Sequence, residues 1–373
     1  MEKDLGISRG LFRIVINVRI IYRILKLLLK CYVYKLTTNK GRVDMLPETI
    51  QQKVEQYRGF YISLKNELKW KVADHKQFMA IASMYVVKGK SPQLQPYIEL
   101  SDYIKNQVGM FSTLKSSQRF TIAAMLDTRY ENPKETFHEF LDVYDQLVQG
   151  GFTRGAFTYI AAFAMLSNES SRSHKEMVRR SVEIYQGMKK KHLFLTSSGD
   201  VPLAVLLAET SESVDDLMHE IEHFYTTLAQ HGFKKGNDLQ FLSHILANDK
   251  NLHGDTLIER CLAVKEICES AGMKVKAMHY PVLGLLALFE KPEAEIEIIH
   301  EAVKQLNADK LFKWHKDINV MLAVNLVISE KLKDSRLVET GIYTTIETII
   351  QAQQAAMMAV IVSTSAVATT TTT

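Results

Sequence analysis

The residues with the most pointed chemistry are His219-Glu220-Ile221-Glu222-His223, which satisfy the pattern H-E-x-x-H. On a helix, two His at i and i+4 share one face and can bind zinc. The Glu beside the first His then serves as general base in a metal-dependent hydrolase. Here His219 and His223 would be the ligands and Glu220 the base. The pattern is short, and a chain with 12 His supplies it readily by chance. Asp238 and His244 lie downstream, but neither stands out as a third ligand. Elsewhere the sequence is poor in catalytic signatures. GGFTRG (Gly150–Gly155) lacks the Lys-Ser/Thr pair of a phosphate-binding loop. KGKSP (Lys88–Pro92) reads as a turn. KKKH (Lys189–His192) reads as a solvated helix end, where positive charge complements the helix dipole.

The elements that would position these residues repeat along the chain. LKNELKW (Leu64–Trp70) and IKNQVGM (Ile104–Met110) match in type forty residues apart. VQGGF ends at Phe152, AQHGF at Phe233 and ESAGM at Met273, with weaker versions in KKKHL (ending at Leu193) and NADKL (ending at Leu311). The residues just before these terminal apolar positions are Lys69, Gly109, Gly151, His192, Gly232, Gly272 and Lys310, at steps of 40, 42, 41, 40, 40 and 38. A period this regular marks a repeat architecture.

Each unit reads as two helices. The first is amphipathic, as in Ile221, Phe224 and Leu228, and stops at a Gly suited to the left-handed conformation that ends a helix. The second is more apolar: YIAAFAML (Tyr159–Leu166), VPLAVLLA (Val201–Ala208), LQFLSHIL (Leu239–Leu246), PVLGLLALF (Pro281–Phe289). Pro133, Pro202, Pro281 and Pro292 fall at helix starts or connections, where Pro is tolerated. The expected fold is all-α: an α-hairpin repeat solenoid of about seven units of roughly 40 residues, over residues 46–350. The same hairpins closed into an α/α toroid are the alternative. Residues 351–373 form an Ala/Thr-rich tail.

The repeat weighs against a metal site. Counted back from Gly232, His219 is at −13 and His223 at −9. Other units place His138, Arg179 and Glu259 in the first column and Asp142, Glu183 and Ala263 in the second. These mostly polar columns belong on a solvent face. The buried columns should be −8 (Val143, Ile184, Phe224, Val264) and −4 (Leu147, Met188, Leu228, Cys268).

Eight residues beyond successive anchors stand Tyr159, Asp200, Gln240 and Tyr280. They open the apolar helices and would form a row along one edge, with Arg119, Arg154, Asp238 and His279 nearby. This row is the expected binding surface for a partner. Capping by Asp200 and Asp238, and packing by the two Tyr, is the competing explanation. His244 interrupts a column otherwise filled by Phe163, Ala204 and Gly284. A buried polar group there needs a hydrogen-bond partner or a pocket.

Composition supports a folded chain, at 46% hydrophobic and 24% charged. Three Cys make no disulfide framework, so a reducing, cytoplasmic setting is expected. The net charge of +4 is uneven. Residues 1–44 carry +7 and residues 45–373 carry −3, so the body has no excess charge for a nucleic-acid partner. The stretch RIIYRILKLLLK (Arg19–Lys30) sets a basic stripe on an apolar helix. Its charges interrupt any membrane span, and peripheral contact with an anionic membrane through residues 11–30 suits it better. An extension upstream of the native start is the competing account of residues 1–44.

QRFTIAAMLD (Gln118–Asp127), GNDLQFLSHIL (Gly236–Leu246), YPVLGLLAL (Tyr280–Leu288) and IIQAQQAAM (Ile349–Met357) resemble an uncharacterised family of bacterial proteins, catalogued only as a domain of unknown function. The resemblance covers residues 48–360 or so and implies no activity, cofactor or catalytic residue. Members of that family start near Met45, so residues 1–44 depart from its pattern. The function expected from all of this is a non-enzymatic helical scaffold for a protein or peptide partner, with no cofactor.

Overall fold

The computed structural model describes residues 46–167, 172–289 and 292–331. The chain divides into compact units Met1–Leu46 and Pro47–Thr373, and the helices described belong to the second. The basic segment 1–44, with its expected membrane contact through residues 11–30, lies outside the described residues, as does the tail 351–373.

Among the described residues, every regular element is a helix. The α-helices pair in chain order: α1 (Glu48–Leu68) with α2 (His75–Lys88), α3 (Leu94–Gln107) with α4 (Gln118–Arg129), α5 (Pro133–Gln149) with α6 (Ala156–Leu166), α7 (His174–Lys191) with α8 (Val201–Leu207), α9 (Val214–Gln230) with α10 (Asn237–Ala247), α11 (Gly254–Ser270) with α12 (Tyr280–Ala287), and α13 (Glu293–Ala308) with α14 (Lys316–Lys331).

Local sequence explains the boundaries. Ser173 and Glu176 cap α7 reciprocally, and the Ser213 hydroxyl accepts from the Asp216 N–H at the start of α9. Pro133, Pro202 and Pro281 occupy first-turn positions of α5, α8 and α12, where no N–H is needed.

The odd-numbered helices bury one stripe each. In α9 this is Leu217, Ile221, Phe224 and Leu228, while His219 and His223 are exposed. The columns expected to be buried are buried throughout: Val143, Ile184, Phe224 and Val264, and Leu147, Met188, Leu228 and Cys268. The even-numbered helices are enclosed on all sides. Every residue from Ala156 to Met165 in α6 is buried. Such a helix needs neighbours all round, and here they are its own partner and the adjacent hairpins.

Each even-numbered helix packs on the next, from α2 to α14, and each odd-numbered helix on the next, from α1 to α13. The succession then returns to its start, since α14 packs on α2 and α13 on α1. The Phe312 ring lies 5.0 Å from the Tyr57 ring and 4.9 Å from that of Tyr61. Arg58 pairs with Asp309 at 2.8 Å, and Lys53 donates to the Ser329 hydroxyl at 3.2 Å. An open solenoid would hold its first and last hairpins apart. Their contact does not bear out an open solenoid and is what the alternative, closed arrangement would give. The reason is physical: repeat length fixes how often a hairpin occurs, whereas the rotation between hairpins depends on side-chain packing at each interface.

Candidate binding face

Because the chain reverses at every helix, all connections from an odd-numbered helix to its partner lie at one end of the ring. Lateral contacts tie these corners together. Gln77 donates to the Ser117 carbonyl at 2.8 Å, Thr113 and Tyr159 share a hydroxyl hydrogen bond of 3.2 Å, and Lys276 pairs with Asp317 at 2.7 Å.

The corners come in two kinds, separated by one glycine. After α5, α9 and α11, Gly151, Gly232 and Gly272 adopt φ of 113°, 88° and 83°. The next residue's N–H then reaches back to the helix, with Phe152 bonding Leu147, Phe233 bonding Leu228 and Met273 bonding Cys268. This is the left-handed helix stop, and it folds the following side chain inward. Phe152 and Phe233 are buried as a result.

The other four corners lack that turn. Lys69, His192 and Lys310 stand where the glycines would be, and Gly109 does not take a positive φ. Apolar side chains at these corners face solvent: Trp70 (89% exposed), Met110, Phe111 (98%), Leu193, Phe194 (96%) and Trp314 (81%). Among the described residues, the large exposed apolar side chains all sit at this end. Soluble surfaces carry single exposed apolar residues routinely, but a concentration of Trp and Phe at one end marks a contact surface.

Taken together, the corners of both kinds at this end are basic. They hold Lys69, Lys71, Lys115, Arg154, Lys234, Lys235, Lys274, Lys276, Lys310 and Lys313 against Asp74, Asp200 and Asp309. The body's slightly acidic sum conceals this asymmetry. Asp200 is buried and Asp309 is paired with Arg58, so little negative charge offsets the lysines.

The row of residues expected along this edge is found at the helix starts, mostly buried. Tyr159 stacks on Tyr144, with ring centroids 4.0 Å apart. The Tyr280 hydroxyl accepts from the Lys234 N–H at 3.0 Å. Gln240 donates to the Thr196 hydroxyl at 3.1 Å. Each reaches back to the preceding corner and latches neighbouring hairpins together. Arg119 is buried, donates to the Ser116 carbonyl at 2.7 Å and lies over the Phe120 ring. Arg154 is exposed, 3.8 Å from Asp145, and Asp238 is half-buried. Of the row, then, Arg154 alone offers an exposed charge.

Three of the expected residues do converge. The Asp200 carboxylate accepts from the Ser197 N–H at 2.8 Å and lies 3.4 Å from the Gln240 amide nitrogen and 3.5 Å from His244 Nδ1. Burial pushes the Asp200 carboxyl up to about 7 despite the hydrogen bonds from Ser197 and Gln240. Burial, and secondarily His192, pushes His244 down to about 3. His244 is 1% exposed, so this cluster knits units together from inside. The exposed corner residues escaped the sequence reading, because Trp70, Met110 and Leu193 occupy the same repeat position as the buried Phe152 and Phe233. At Lys69 and His192 the missing glycine was the available signal, whereas Gly109 before Met110 gave none.

The HEIEH segment is spent on neighbours. His223 Nε2 lies 3.2 Å from Asp255 on α11, Glu222 bonds His192 at 2.8 Å, and Lys250 pairs with Glu220. His219 is exposed, and no group of three His, Cys, Asp or Glu suited to a metal occurs among the described residues. The hydrolase alternative, with His219 and His223 as ligands and Glu220 as base, therefore lacks a third ligand there. Both His lie on the outer stripe of α9 because the opposite stripe supplies the core.

Fold and surface together define an all-helical protein with one basic, aromatic-studded end. The chain belongs to the family described as protein of unknown function (DUF4003), whose model matches residues 60–355. It is similar to an uncharacterized protein, YeaA, of Bacillus subtilis (strain 168), at 41% identity over 314 residues covering 84% of this chain and 94% of that one. No solved structure matches the chain. No helix among the described residues is long and apolar enough to cross a membrane.

Proposed function

We propose that this protein is a non-enzymatic helical scaffold that binds an acidic protein or peptide across the corners carrying Trp70, Phe111, Phe194 and Trp314. The observation that carries this reading is the exposure of those rings at one end of the ring of helices. Trp and Phe supply large contact areas, and interface energy concentrates in such anchors. The surrounding lysines would steer an acidic partner and set its orientation. No cofactor is needed for such a role. A reducing cytoplasm suits Cys261 and Cys268, buried free thiols that burial pushes up to about 12.

The test is a fourfold variant, Trp70→Ser, Phe111→Ser, Phe194→Ser and Trp314→Ser. It should keep the parent melting temperature but lose the proteins that the parent retains from native extract, and that retention should weaken with salt. Equal retention by the variant would overturn the reading. If the variant instead lost binding to anionic vesicles or single-stranded oligonucleotides, with no protein partner affected, those ligands would replace the protein.

A further inference from the structure

Between the last two hairpins lies a cleft of about 690 Å³, a size typical of small-molecule sites, which span roughly 300–1,000 Å³. Its two ends differ in chemistry. The interior is walled by Val282, Leu283 and Leu286 of α12, Ile299 and Val303 of α13, and Val324 of α14. The mouth, at the corner end, carries Lys274, Lys276, Lys304 and Lys316.

Two of these four lysines are unspent. Lys276 pairs with Asp317, and Lys304 with Glu301. Lys274 and Lys316 are exposed and have no carboxylate partner among the described residues. His279, 4% exposed, adds a donor. Its Nδ1 accepts from the Lys276 N–H at 3.2 Å, which leaves the proton of the neutral ring on Nε2. That Nε2 has no hydrogen-bond partner and lies 3.4 Å from the Asp317 carboxylate at the mouth. Burial lowers the His279 pKa more than nearby Asp317 raises it, which keeps the ring neutral.

We infer that this cleft binds an amphipathic anion, a single acyl chain ending in a carboxylate or phosphate. The chain lies along the apolar wall and the head meets Lys274, Lys316 and the His279 Nε2–H. From Ala308 at the mouth to Ile299 inside, α13 spans about 14 Å at 1.5 Å per residue, enough for a medium-length chain. A neutral hydrocarbon would leave the lysines unanswered.

The test is calorimetric titration of the full chain with dodecanoate, dodecyl phosphate and dodecanol below their aggregation limits. One equivalent of at least one anion should bind, with dodecanol at least tenfold weaker. The two anions separate a carboxylate from a phosphate head. Lys274→Ala with Lys316→Ala should weaken anion binding at least tenfold and flatten its salt dependence. Val320→Trp, at a half-buried lining position, should abolish binding while the melting temperature is kept. If Val320→Trp fails to fold, the lysine pair decides alone. Absence of binding, equal binding of dodecanol, or full affinity in the lysine variant would overturn the assignment.

Discussion

The Arg58 guanidinium, in the first helix, lies 2.8 Å from the Asp309 carboxylate that follows α13, 251 residues later. Beside it Phe312 is enclosed between Tyr57 and Tyr61. The two contacts differ in weight. The Arg58 side chain is half exposed, and such ion pairs contribute about 0–1 kcal/mol. Phe312 is 1% exposed, and removing a buried Phe side chain costs roughly 3–5 kcal/mol.

Closure therefore rests on the aromatic contact. Phe312→Ala should lower stability by roughly 3–5 kcal/mol in urea unfolding, and amide exchange should quicken in α1 as well as α14. Arg58→Ala should cost about 1 kcal/mol or less. Faster exchange confined to the last hairpin would mean that the ring does not communicate across its seam.

Asp200 and His244 form a pair whose proton demands oppose each other. The Asp200 carboxyl is raised to about 7, so it contributes stability below its unfolded pKa that is lost as pH rises through about 7. His244 is lowered to about 3, so neutral burial contributes stability above its unfolded pKa that is lost as pH falls below about 6.5. Together they cancel between about pH 4 and 6.5. Asp200→Asn should expose the His term, with stability falling from pH 7 to pH 5. His244→Gln should expose the opposite slope, with stability falling as pH rises from 4 to 7. Each slope is at most about 1.4 kcal/mol per pH unit. Urea midpoints that move in the same direction in both variants would contradict this pairing.

Leu206, 3% exposed, lies in α8, which packs on α6, α7 and α10. Leu206→Asp places a carboxyl there without a partner, at a cost of several kcal/mol or forced protonation. Because α8 supports both neighbours, proteolysis should accelerate in the third and fifth hairpins as well as the fourth. An unchanged melting temperature would remove Leu206 from the core.

Gly232→Ala isolates the backbone cost of a corner. A Cβ at Gly232 would meet nothing within 4 Å, yet φ is 88°. Strain of about 1–2 kcal/mol is expected, seen as a lower melting temperature. At the other kind of corner, Trp70→Ser should shift stability by no more than about 0.5 kcal/mol, since its ring is almost fully exposed.

Period and polarity were readable from the chain alone. Hairpins recur about every 40 residues, helices α6, α8, α10 and α12 are mainly apolar, and the columns of Phe224 and Leu228 face the core. These are local properties, set by which side of a 3.6-residue helix carries apolar side chains. The same logic placed His219 and His223 on the outer face. Three things required the tertiary structure. Closure depends on angles between hairpins, and small changes in packing sum around seven interfaces, so no period encodes it. The encounter of Asp200 with His244 joins residues 44 positions apart, through a corner and an inner helix. The exposure of Trp70 or Phe194, against the burial of Phe233, turns on whether one backbone residue can enter the left-handed region. The glycine that permits it was in the sequence, but the direction of the next ring was decided only once neighbouring hairpins stood beside it.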